Sequence, residues 1–162
     1  MPDRFLHGLA RGALVALFVS SVGACTERQD LKADTARVQW SDRRAELDVI
    51  SCGLDDAAFV LAAESASGFV QLLLVVDEPD AEEREIDTDR SAVTAEVDAG
   101  VLGAGDADLL GVPADEPGQI TRAAIRGDRI DVEADARVLG GSDGQTVPLE
   151  IAARCPAVED LA

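Results

Sequence analysis

The stretch Arg129–Val138, RIDVEADARV, constrains the fold more than any other part of this chain. Ile130, Val132, Ala134, Ala136 and Val138 fall on one side of a period of two, and Asp131, Glu133, Asp135 and Arg137 fall on the other. An extended strand separates those sets, and a sheet with one dry and one wet face uses both. Just upstream, Gly127-Asp128 supplies a two-residue turn with glycine suited to the first position of a type II′ geometry. That turn predicts a register: Arg126 opposite Arg129, Ile125 opposite Ile130, Ala123 opposite Val132 and Arg122 opposite Glu133. Apolar meets apolar, and opposite charges meet on the wet face, so the register is supported twice. After GGSDG (140–144), Val147, Leu149, Ile151, Ala153 and Cys155 alternate again, with Pro148 suited to an edge or to the start of a strand. Residues 118–155 therefore read as a three-stranded antiparallel meander.

The front half is less regular. In AELDV, Ala45, Leu47 and Val49 share one face, yet Cys52 is in phase with Ile50. A bulge or the end of the strand must reorient Cys52 if it is to reach a partner on the inner face. AAFVLAAESASGFVQLLLVVD reads as two strands broken at Ser65-Ala66-Ser67-Gly68, the second (Phe69 to Val76) buried on both faces; a helix over Asp56 to Ala63 is the alternative, because short apolar runs are ambiguous. Asp77 to Asp89 reads as an acidic loop, Val93, Ala95 and Val97 as a short strand, and Gly100 to Gly118 as a long loop. About seven or eight short strands predict a mostly-β chain, a small antiparallel β-sandwich or curled sheet.

The N-terminus carries an address. MPDRFLHGLAR contributes Arg4 and Arg11, an apolar stretch runs from Gly12 to Val22, and Gly23, Ala24 and Cys25 follow. A basic start, a short apolar run and small residues form a secretory signal peptide. The run is shorter than the roughly 20 residues needed to span a bilayer. Val22-Gly23-Ala24-Cys25 resembles the bacterial lipobox, an aliphatic residue and two small ones before cysteine. That resemblance implies acylation of the Cys25 thiol, cleavage just before it, and anchoring of the mature chain by its acyl chains to the outer face of the cell membrane. With Cys25 acylated, Cys52 and Cys155 are left in an exported protein, where oxidation is permitted; they read as a disulfide. A redox pair is the alternative, but the CxxC spacing that depresses a thiol pKa is missing. The expected organisation is a signal peptide over residues 1–24, an acylated N-terminus and flexible tether over 25–37, a β domain over 38–156 and a tail over 157–162.

Charge and missing residue types narrow the function. The chain has a formal net charge of −18, and it becomes one charge more negative once Asp3, Arg4 and Arg11 leave with the signal. Such a surface repels nucleic acid and anionic headgroups, so the acyl chains on Cys25 remain the expected link to the membrane. His7, the only histidine, also leaves with the signal, which removes a Ser-His-Asp triad, a Cys-His pair and any histidine metal site from the mature chain. Tyrosine is absent, and Trp40, Phe59 and Phe69 are too few for a stacking platform. Lys32, the only lysine, falls in the expected tether.

The layout also resembles the mycobacterial lipoprotein antigens of the nineteen-kilodalton type. DVISC ending at Cys52, GFVQLLLVVDEP, and GDRIDVEADARV…VPLEIAARC ending at Cys155 carry the likeness, over roughly residues 38–156. The charged tether TERQDLKADTAR departs from the Ser/Thr/Ala-rich tether of that family. The resemblance implies a surface-exposed lipoprotein without enzymatic activity or cofactor.

The function expected is accordingly that of a lipid-anchored, extracytoplasmic envelope module engaging a protein or ligand of the envelope or the exterior. One alternative is calcium binding, for which Asp87 with Asp89 and Asp106 with Asp108 supply hard oxygen ligands, although neither pair fits the EF-hand spacing. Another is an apolar ligand lodged between the sheet and its loops. Catalysis by paired carboxylates draws no support, because with 32 acidic residues such pairs arise by abundance alone.

Overall fold

The structure is a computed structural model that describes residues 31–55, 57–77, 84–98, 100–141 and 144–155. The expected signal peptide, Cys25, the expected tether as far as residue 30, residue 156 and the expected tail over 157–162 lie outside the described residues. Among the described residues, nine strands and one short helix follow in order: β1 (Thr35–Trp40), β2 (Arg43–Asp55), β3 (Ala58–Ser65), β4 (Gly68–Val76), β5 (Ile86–Val97), β6 (Gly100–Gly105), α1 (Ala107–Leu110), β7 (Gln119–Arg126), β8 (Arg129–Val138) and β9 (Thr146–Arg154).

The chain is mostly β, but the sheet is neither a sandwich nor an open curl. Its order is β6-β5-β4-β3-β2-β1-β9-β8-β7, and a further β6–β8 pairing closes it into an eight-stranded antiparallel barrel with β7 as an extra strand. Nearly every strand carries one apolar set, and among the described residues the sheet of nine strands has no second sheet to pack against. Closing on itself hides the apolar face and removes the unpaired edges that a sandwich keeps. Eight strands enclose a space that side chains can fill, and here Val38, Phe59, Leu61, Leu72, Leu74, Leu102, Ile130, Leu149 and Ile151 fill it, all essentially inaccessible.

The β7–β8 hairpin has the predicted register at each of its four named pairs. Gly127 has φ +58°, and Asp128 is not among the residues of positive φ, as a type II′ turn requires. Pro148 lies near the start of β9, one residue beyond the point where β1 begins to pair with it at Trp40↔Leu149. In β2 the pairing with β3 slips between Val49 and Ser51. The bulge turns Ile50 outward, where it is 55% exposed, and brings Cys52 opposite the fully buried Leu61.

Four expectations are corrected. β4 is dry on one face only: Val70, Leu72, Leu74 and Val76 are buried, whereas Gln71 is exposed and Phe69, Leu73 and Val75 are half-buried on the outer wall. Leu73 and Val75 lie opposite Val60 and Ala58 of β3, so outer-wall neighbours shield one another sideways. β1 starts at Thr35, ahead of the expected end of the tether at Arg37, with Leu31 buried and Ala36, Val38 and Trp40 facing the interior. The acidic loop ends earlier than Asp89, since β5 starts at Ile86. Gly100 to Gly118 is not one loop but holds β6 and α1.

β6 and β7 share one edge of β8 in succession. β6 pairs at Leu102↔Val138 and Gly103↔Arg137, and β7 takes over from Gln119↔Asp135. Two hydrogen bonds lock the hand-over, from Gly105 N to Gly118 O and from Gly118 N to Gly103 O, both 3.0 Å. A Cβ on Gly118 would strike the Asp135 carbonyl oxygen and lie 2.8 Å from Ala136 Cα. Gly118→Ala is therefore expected to destabilise the barrel by about 1–3 kcal/mol, the range for overpacking a tight contact. A thermal melt of the variant checks this; an unchanged midpoint would mean the seam has room that the backbone approach denies.

Candidate functional site

One end of the barrel gathers the disulfide, the start of the described chain and a row of arginines. Cys52 and Cys155 are bridged, with Cα atoms 6.0 Å apart. Cys155 is buried, and its N–H donates to the Asp128 carbonyl at 2.8 Å, so the bridge also pins the β7–β8 turn. Arg154, next in the chain, donates from Nε to Asp128 Oδ2 at 2.7 Å and from Nη1 to the Leu31 carbonyl at 3.3 Å. The hydrogen bond from Arg154, reinforced by its positive charge, holds the Asp128 carboxyl below its ordinary pKa.

Register then sets three like charges side by side. Arg154 is opposite Arg129, and Arg129 is opposite Arg126. Ile125, Ile130 and Ala153, their chain neighbours, point into the core, so all three arginines stand on the outer wall. Adjacent pairs of this kind are destabilising unless something lies between or beside them. Asp128 engages Arg154, and Asp131 Oδ2 lies 3.5 Å from Arg129 Nε. That Nε makes no hydrogen bond although its atom is buried. Arg126 has no carboxylate partner among the described residues. Leu31, Asp128, Arg129 and Arg154 line a hollow of about 220 Å³.

The opposite end holds a larger and more open depression of about 950 Å³, with Trp40, Arg43, Arg44, Ser67, Glu96 and Asp98 among its walls. Arg43 and Asp98 form an ion pair there. None of its lining residues is among the described ones with a buried, unpartnered polar atom. It offers shape without an unmet bonding demand.

The calcium candidates have local roles. Asp87 Oδ1 accepts from the N–H groups of Asp89 and Arg90 at 3.1 and 3.2 Å. Asp106 caps α1, its Oδ1 accepting from Asp108 N at 2.8 Å and Leu109 N at 3.3 Å. Buried Ser91 sits between the pairs: its hydroxyl donates to Asp87 O and accepts from Val75 N, while its carbonyl accepts from Asp106 N. Among the described residues no group of three or more acidic, histidine or cysteine side chains could hold a metal ion. Cys25 lies outside the described residues.

Sequence reading placed Cys52 with Cys155 and Arg126 with Arg129, but it did not join the two. The missing link is Arg154, whose place depends on the β8–β9 register. Its signal was the alternation of VPLEIAARC, which puts Arg154 out of phase with inward Ala153 and Cys155. Comparison with protein-family models, with curated proteins and with solved structures gives no match.

Proposed function

We propose that the chain is a lipid-anchored, extracytoplasmic envelope lipoprotein whose β-barrel serves an interaction role without catalysis. The observation that carries this reading is the division of the three cysteines. Cys52 and Cys155 are bridged to each other, as suits a protein exported to an oxidising compartment. Cys25 is then the remaining thiol, and it stands in Val22-Gly23-Ala24-Cys25 behind a signal-like segment. The first described residue, Leu31, is buried beside Arg154. Six residues beyond Cys25, it can stand at most about 20 Å away along the chain. The anchor accordingly holds the disulfide end of the barrel toward the bilayer and the Trp40 end away from it. The likeness to the nineteen-kilodalton-type antigens supports a surface-antigen-like role for the exposed end.

Intact mass of the membrane fraction tests the anchor. The wild-type chain is expected to begin at Cys25 and to carry the added mass of diacylglycerol and fatty acid. Cys25→Ser is expected to remain uncleaved and unlipidated. A wild-type protein recovered at the mass of the bare, full-length polypeptide would overturn the proposal.

A further inference from the structure

We propose that the Arg126–Arg129–Arg154 row, with the hollow beside Leu31, is a binding site for a phosphate group. Three observations converge on it. First, cross-strand neighbours bring the three arginines together at Cα separations of about 5 Å, in a chain with 14 basic residues against 32 acidic ones. Second, the row is unevenly satisfied: Arg154 is held by Asp128 and Leu31, whereas Arg129 Nε is buried without a hydrogen bond. Third, a hollow of about 220 Å³ is lined by Arg129 and Arg154 together with Leu31 and Asp128.

Two acids, Asp128 and Asp131, stand beside the three arginines of the row, on Arg154 and Arg129 respectively. The chain's −18 is spread over the whole molecule, and at physiological salt its field fades over about 8 Å. A polyanion long enough to cross the acidic walls is therefore repelled, while a small oxyanion meets mainly the arginines. Guanidinium forks match oxyanions with paired N–H donors. A carboxylate occupies one fork; a phosphate, with oxygens pointing in several directions, can engage neighbouring forks together. The site is also held in place, because the Cys52–Cys155 bridge and the Cys155 N–H bond to Asp128 fix both the turn and Arg154.

The site depends on the barrel and not on acylation, so its test is separable from that of the anchor. Thermal unfolding of the purified full chain would be followed in inorganic phosphate and, separately, in glycerophosphoglycerol, the acyl-free phosphodiester headgroup. Sodium chloride at equal ionic strength is the control. A saturable rise of the melting temperature in either phosphate compound, absent in chloride, supports the site. A response to the diester identifies a lipid headgroup as the source, and a response to inorganic phosphate alone identifies free phosphate. Arg126→Gln combined with Arg129→Gln is expected to weaken the apparent affinity by tenfold or more, about the loss of one charged hydrogen bond. Arg122→Gln, on the same strand but paired with Glu133, is expected to keep it within about twofold. No phosphate-specific rise, or an equal rise in the double variant and the wild type, would overturn the proposal.

Discussion

Replacing both Cys52 and Cys155 by serine is expected to lower the melting temperature by on the order of 10–20 °C, following a stability loss of about 2–5 kcal/mol. The magnitude follows from topology. Around the barrel, most hydrogen-bonded neighbours are consecutive in sequence; β1–β9 is the pairing that joins the two ends of the described chain. The bridge spans 103 residues and lies beside that closure, since β2 neighbours β1 and Cys155 directly follows β9. It holds together ends that an unfolded chain would rarely bring into contact, and a loop of about 100 residues gives nearly the largest chain-entropy benefit a disulfide supplies, about 4.7 kcal/mol. The measurement is a melt of the oxidised chain, the reduced chain and the double variant. Reduced wild type and variant should coincide, well below the oxidised form. A variant melting within about 2 °C of the oxidised wild type would mean that the β1–β9 ladder alone secures the closure.

The same topology explains what could be read from sequence. The β7–β8 hairpin was legible because turn chemistry, alternation and charge pairing reside within a dozen contiguous residues and agree. The bulge in β2 was legible as a phase conflict between Val49 and Cys52. β6 was not, because Gly100, Gly103 and Gly105 dilute its alternation, and two of these glycines answer to distant contacts. A Cβ on Gly103 would come within 2.7–2.8 Å of the Leu139 side chain, and Gly105 has φ +103° against the Ser91 carbonyl. β1 was hidden in part by Thr35 and Arg37, whose outward phase made the inward Ala36 resemble tether. Closure into a barrel leaves no local mark. It arises from the β1–β9 and β6–β8 pairings, and a sandwich has the same inside–outside alternation along each strand.

Phe59→Ala is expected to cost about 3–5 kcal/mol, and Phe69→Ala, on the next strand, about 1 kcal/mol. Phe59 is inaccessible and faces the interior, opposite Leu54 and Leu74. Removing its ring leaves a cavity that a barrel wall of paired strands cannot collapse to fill. Phe69 has the opposite phase: it stands half-buried on the outer wall between Glu64 and Glu96, where water can take the place of the ring. Both strands would be dry on each face if the Phe69 to Val76 run were sandwiched, as its composition alone suggests, and the two substitutions would then cost alike. Urea unfolding of each variant separates the cases, read as the shift in midpoint at an unchanged slope. A Phe69→Ala shift equal to that of Phe59→Ala would mean that something covers the outer wall of β3 and β4. A shift confined to Phe59→Ala places the whole apolar core inside the barrel, and the outer apolar residues then contribute by lateral contact with their cross-strand neighbours.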